Sequence, residues 1–142
     1  MKVAFACDHA GYNLKLILIS YLTNKGYEIT DLGCYSEEST DYPEYGHILA
    51  NHITENKSEL GISLCGTGNG INMTANKHPM IRSALCWDSE IAELARKHND
   101  ANICAIPARF ITTEEAKKMV DVFLTTDFDG GRHLRRIEKI PV

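Results

Sequence analysis

Leu60-Gly61-Ile62-Ser63-Leu64-Cys65-Gly66-Thr67-Gly68-Asn69-Gly70 is a short apolar run that breaks into three glycines at alternate positions. Such a run reads as a strand, Leu60 to Cys65, and the glycines after it as a tight turn into a following helix. The same alternation extends in both directions. Lys2 to Cys7, Glu28 to Leu32, Ser83 to Cys86 and Asn102 to Ala105 read as four further strands. Between them the apolar period becomes helical. Helices are expected from Tyr12 to Lys25, stopped by Gly26, and from Tyr45 to Lys57, with Tyr45, Ile48, Leu49 and Ile53 on one stripe. A third helix begins in the glycine loop. A fourth runs from Asp88 to about His98 with Ile91, Leu94 and Ala95 inward, and a fifth follows Thr112, whose spacing to Glu115 matches a capping box.

Parallel neighbours need crossovers, and both faces of a parallel sheet must be covered. The expected fold is therefore α/β: a three-layer α/β/α sandwich in which a five-stranded parallel, Rossmann-like sheet carries helices on both faces. The chain has 142 residues, 44% hydrophobic and 24% charged, which suits a single domain over 1–142 with a basic tail at 130–142. No repeat, low-complexity stretch or linker interrupts it. A formal charge of -4 disfavours nucleic acid and anionic lipid as partners and points to small solutes. The five cysteines, at 7, 34, 65, 86 and 104, form no C-x-x-C pair, so neither a disulfide framework nor a zinc ribbon is written, and a reducing, cytoplasmic setting is expected. The apolar start, Met1 to Ala6, is far shorter than a signal peptide or membrane span.

Ligands of open parallel sheets bind beyond the carboxyl ends of the strands. Three such ends carry reactive side chains: Cys7-Asp8-His9, Cys65 with its glycine loop, and Cys86-Trp87-Asp88. Cys7 and Cys86 read as small buried hydrophobes. After Cys65, the glycines can turn backbone N–H groups toward an anion. No Gly-Lys-Ser/Thr follows, which excludes a phosphate-loop NTPase, and the dinucleotide fingerprint fails in spacing and in strand. A cysteine phosphatase would need arginine where Ile71 stands. His98 falls at the end of the fourth helix's inward stripe, as a functional imidazole or a last-turn histidine favoured by the helix dipole. His47, His52 and His78 show no metal spacing, and no metal or cofactor is expected. Of the six arginines, three lie at 132, 135 and 136; on a helical tail Arg132 and Arg136 would point the same way, as a phosphate grip or a solvated end.

Taken together, Cys7-Asp8-His9-Ala10-Gly11, Asp41-Tyr42-Pro43, Cys65 to Gly70, Ala75-Asn76-Lys77, His98-Asn99-Asp100-Ala101-Asn102 and Gly130-Gly131-Arg132-His133 resemble the type B ribose-5-phosphate isomerases. The motifs follow the family's order over nearly the whole chain. The resemblance implies interconversion of D-ribose 5-phosphate and D-ribulose 5-phosphate through an enediolate, a step of the pentose phosphate pathway. Cys65 would be the base between carbons 1 and 2, since Asn69 and Asn72 offer no carboxylate. His98 would be the acid for ring opening. Asn99 would bond the sugar; Asp8 and His9 would line the site, and the amides of Gly66, Thr67, Gly68, Asn69 and Gly70 would steady the developing oxyanion. Arg132 and Arg136 would hold the phosphate with Arg109, which here follows Ile106-Pro107-Ala108 where the family usually has a glycine. It further implies a homo-oligomer, dimer or tetramer, whose sites draw on two subunits. The same superfamily holds allose-6-phosphate and galactose-6-phosphate isomerases, so a hexose phosphate is the alternative substrate. A non-enzymatic nucleotide-binding module is a more distant one, because such a module needs no paired base and acid.

Overall fold

A computed structural model describes residues 1–142. Five strands, β1 (Lys2–Cys7), β2 (Glu28–Asp31), β3 (Leu60–Cys65), β4 (Ser83–Leu85) and β5 (Ile103–Pro107), form one all-parallel sheet in the order β2-β1-β3-β5-β4. Six helices connect and flank them: α1 (Tyr12–Asn24), α2 (Tyr42–Thr54), α3 (Asn69–Ala75), α4 (Ser89–Asn99), α5 (Thr113–Thr125) and α6 (Arg132–Ile137). The expected three-layer α/β/α architecture is the one observed. No helix is long and apolar enough to cross a membrane.

Alternation along the strands sorts the core. Val3, Phe5 and Cys7 face the larger core, which α1, α4 and α5 cover with Leu18, Leu22, Ala92, Ala95, Met119, Val120 and Phe123. Ala4, Ala6 and Ile103 face the other side, where α2 contributes Leu49, Ala50 and Ile53. The three central strands β1, β3 and β5 thus read as continuous apolar runs because both of their faces are covered, while the edge strand β2 alternates exposed and half-buried residues.

Several boundaries and contacts differ from the sequence reading. α2 starts at Tyr42, because Pro43 fits the first helical turn, where no N–H is required, and the helix ends at Thr54, before Asn56 turns left-handed at φ 58°. β5 begins at Ile103 and runs through Pro107, while Asn102 is occupied in tying Met80 and Arg82 to the start of the strand. α4 buries Ala92 and Ala95, leaving Ile91 and Leu94 only half-buried, since the alanines let the helix lie close to α5. The Thr112 hydroxyl accepts from the Glu115 amide as expected. The reciprocal half of the capping box is absent: Glu115 Oε1 accepts instead from the Ser89 amide at 2.7 Å, capping α4 from the neighbouring helix.

Lys15, on α1, is wholly buried. Its Nζ lies 2.6 Å from Asp31 Oδ1 and 2.5 Å from the Cys34 carbonyl, so it pins the loop after β2 to α1. Lys15→Met keeps the stem's apolar packing and strands both acceptors. Because the Asp31 side chain is 30% exposed and can recover water, the loss falls below that of a fully buried pair, at about 2 kcal/mol. Urea unfolding measures it, and an unchanged midpoint would contradict the role.

Candidate active site

Cys65 is the last residue of β3, only 4% exposed, and packs against Ile71 and Ala105. The turn beyond it requires glycine at 68, where φ is +76° and an added Cβ would sit 2.5 Å from the Leu85 side chain. Gly70 has a different reason: a Cβ there would strike the Tyr42 ring at 2.5 Å, so the loop lies directly under that ring. Within the loop, the Asn69 amide already donates to Thr67 Oγ1 at 3.3 Å. This partly occupies one of the five amides assigned to an oxyanion and makes Thr67 a brace of the loop. The turn after β5 closes on the same loop, with Ala108 N–H donating to the Cys65 carbonyl and Arg109 N–H to the Gly66 carbonyl. The Arg109 guanidinium lies over Gly66, 3.2 Å from where its Cβ would be. Ile106-Pro107-Ala108 therefore carries Arg109 to the cysteine loop.

Asp8 and His9 follow β1 on the same edge of the sheet. Asp8 is buried, and its carboxylate accepts from the Ala10 amide at 2.9 Å, capping the 3-10 turn His9–Gly11. His9 is tied through Thr40 to the loop before α2.

His98 and Asn99 lie elsewhere. α4 leaves the carboxyl edge after β4 and its eleven residues rise about 16 Å back toward the amino edge. Its C-terminal turn meets the start of the adjacent strands: Arg82, just before β4, donates to the Asn99 and Asp100 carbonyls, and Asn102 leads into Ile103. Pairing runs from Gly61 with Ile103 to Cys65 with Pro107, four residues and about 13 Å further along the sheet. One chain therefore does not bring His98 to Cys65.

The arginine tail travels with His98. α6 packs against α4, and the His133 ring stacks on His98 with centroids 4.4 Å apart and planes 12° from parallel. His133 is pushed below the usual histidine range, first by desolvation and then by the positive charges of His98, Arg132 and Arg136, with Asp129 opposing. Arg132 and Arg136 are exposed beside this stack. In the sequence His133 stands only within the Gly130-Gly131-Arg132-His133 motif, and nothing there signals a partner for His98. His98, His133 and Asp129 hold ligand atoms within 4.8 Å of one another, but lone pairs in the planes of two stacked rings cannot converge on one ion. One ring would have to turn before a metal could bind.

The sequence-derived residues thus form two groups. Asp8, His9, the loop from Cys65 to Gly70 and Arg109 occupy the carboxyl edge; His98, Asn99, Arg132 and Arg136 occupy the amino edge. A cleft of about 440 Å³ between Lys2, Ile53, Lys57, Glu59 and Asn102 and another of about 410 Å³ between His78, Arg82, Ile137 and Ile140 touch neither Cys65 nor His98. His47 and His78 bond each other at 2.8 Å, and His52 bonds Ser58.

The chain matches known proteins over nearly its whole length. The chain is 42% identical to ribose-5-phosphate isomerase B of Escherichia coli (strain K12) over 139 residues, which covers 98% of this chain and 93% of that protein. It superposes on the solved ribose 5-phosphate isomerase of Thermotoga maritima with a TM-score of 0.97 and 51% identity, covering 99% of this chain and 97% of the other. Ribose-5-phosphate isomerase B of Mycoplasma genitalium, solved with bound ribulose-5-phosphate, matches with a TM-score of 0.94 and 41% identity, over 98% and 93% of the two chains. A family model described as Ribose/Galactose Isomerase matches residues 3–140, which include both groups of candidate residues. On fold, motif order and near-complete coverage alike, the chain belongs to the ribose/galactose isomerase family.

Proposed function

We propose that the protein is an aldose-ketose isomerase interconverting D-ribose 5-phosphate and D-ribulose 5-phosphate, acting in the cytoplasm in the pentose phosphate pathway. The observation that carries this reading is Cys65 at the strand end, leading into a loop of backbone amides whose Gly66 lies under Arg109, in a chain whose relatives bear that name. In the forward direction the Cys65 thiolate takes the proton from C2 of the open-chain aldose. The electron pair left behind forms the C1–C2 double bond of the enediolate, and the carbonyl at C1 takes up the charge on oxygen. A proton passes from the C2 hydroxyl to the C1 oxygen, the thiol formed at Cys65 returns its proton to C1, and the C2 oxygen collapses to a carbonyl, which completes the ketose. Backbone N–H groups of the loop steady the oxyanion. His98 is the acid that opens the furanose ring, Asn99 bonds the sugar, and Arg132, Arg136 and Arg109 grip the phosphate.

These roles require a second copy of the chain, because the base and the acid sit on opposite edges of one sheet. We propose a homodimer, or a tetramer built from it, in which the amino-edge group of one subunit meets the carboxyl-edge group of the other, each chain acting as a single domain. Large apolar side chains exposed at the carboxyl edge support this arrangement: Tyr42 lies over the loop, while Trp87 and Phe110 follow β4 and β5.

Turnover on D-ribose 5-phosphate, D-allose 6-phosphate and D-galactose 6-phosphate, measured side by side with a chelator present, tests the assignment. The pentose phosphate is expected to be turned over best and without added metal. Preference for a hexose phosphate would move the protein to the other branch of the family, and activity recovered only on adding a divalent ion would overturn the metal-free mechanism.

A further inference from the structure

His9 begins the 3-10 turn beyond β1, and Thr40 lies in the loop between β2 and α2. The two residues, 31 apart in the chain, exchange hydrogen bonds: the His9 amide donates to Thr40 Oγ1 at 3.1 Å, and the Thr40 amide donates to His9 Nδ1 at 3.1 Å. A backbone N–H can only donate. Nδ1 must therefore be the bare nitrogen, and the ring proton of the neutral imidazole sits on Nε2. The other tautomer would set an Nδ1–H against the Thr40 N–H, donor facing donor. Losing one such bond moves the tautomer ratio by about tenfold.

We infer that Thr40 is a positioning residue that holds His9 as the Nε2–H tautomer and so presents a single N–H donor to the oxygens of the bound phosphosugar. The two ring nitrogens diverge, so with Nδ1 against the loop the Nε2–H points away from it, and no protein group accepts from it. Neighbouring contacts keep the arrangement rigid. Lys15 holds the Cys34 carbonyl, Asp31 Oδ1 accepts from the Gly33 amide at 3.0 Å, and Asn13 bonds Glu37 across the same loop. The Asp8 carboxylate accepts from Ala10, so it is Thr40, and not the adjacent acid, that selects the state of the ring.

The part of this inference that concerns the sugar rests on the isomerase reading; the tautomer does not. Long-range ¹H–¹⁵N correlation spectra of the labelled protein report which nitrogen of His9 carries the proton, whatever the activity. The native protein is expected to show the Nε2–H form alone. Thr40→Pro deletes the selecting N–H, and the Nδ1–H form should then appear beside it. Thr40→Val keeps the amide and loses only the hydroxyl, so its tautomer should stay native even if the proline variant fails to fold. In turnover, Thr40→Pro should raise KM about tenfold with kcat within about twofold, because a donor that binds substrate and transition state alike acts on KM. Thr40→Val should raise KM no more than about threefold, having lost only a bond to the His9 backbone. A proton on Nδ1 in the native protein, or a Thr40→Val protein that shows the mixture, would overturn the tautomer lock. A mixed tautomer in Thr40→Pro with unchanged KM would overturn the donor role and leave the isomerase assignment standing.

Discussion

Cys65→Ala is expected to lower kcat on ribose 5-phosphate by at least about a hundredfold, the usual worth of a positioned base, while the protein folds normally. The side chain belongs to a small cluster with Ile71 and Ala105, flanked by Tyr45 and Leu85, and alanine fills all but the sulfur, so the unfolding midpoint should move little. The other four thiols, Cys7, Cys34, Cys86 and Cys104, all lie in the larger hydrophobic core, away from the glycine loop. Burial pushes Cys7 up to about 12, and its sulfur faces Cys34 at 3.8 Å inside the core. Cys104 is also held well above the ordinary thiol range, by its hydrogen bond with Cys86 and by complete burial. Loss of kcat should be accompanied by equal loss of kcat/KM, since the base acts in the transition state and contributes little to holding the sugar. During native turnover in deuterated water, the enediolate route lets solvent hydrogen enter the product at the carbon that receives the proton. A variant within a few-fold of native activity would remove Cys65 from the role of base.

The sheet and its helices were legible because the central strands are apolar on both faces and the longer helices between them repeat at 3.6 residues. The glycines after Cys65 marked where a ligand loop should lie. What escaped was set by contacts distant in sequence. Lys15 reads as a solvated helix residue until the Asp31 carboxylate and Cys34 carbonyl are brought beside it. Thr40 reads as one of several polar loop residues until β1 and β2 pair and carry it to His9. Glu115 matches a local capping box, yet it serves the neighbouring helix because α4 starts within its reach. Ile91 and Leu94 fit the inward stripe by period alone, but the spacing between α4 and α5 favours alanines at the closest approach.

The separation of Cys65 from His98 was within reach of the sequence, since a helix that follows a strand in this fold must return to the amino edge before the next strand begins. Motif resemblance gathers both residues into one site without saying which chain supplies each. The topology adds that His98, Asn99, Arg132 and Arg136 move together, through the contact of α6 with α4 and the stacking of His133 on His98.

The central claim, a site built from two copies, is tested most directly by mixing two dead proteins. Cys65→Ala lacks the base and Arg136→Ala lacks part of the phosphate grip, so each alone should be nearly inactive. Unfolded together at equal concentration and refolded, half of the dimers are hybrids. In each hybrid one site collects both lesions and the other collects neither, so about a quarter of all sites are intact. Activity is expected to climb toward a quarter of the native value as hybrids form, with their abundance followed by native mass measurement. Hybrids that form in that proportion and remain as inactive as their parents would show that Cys65 and Arg136 serve one site from one chain, which contradicts the account.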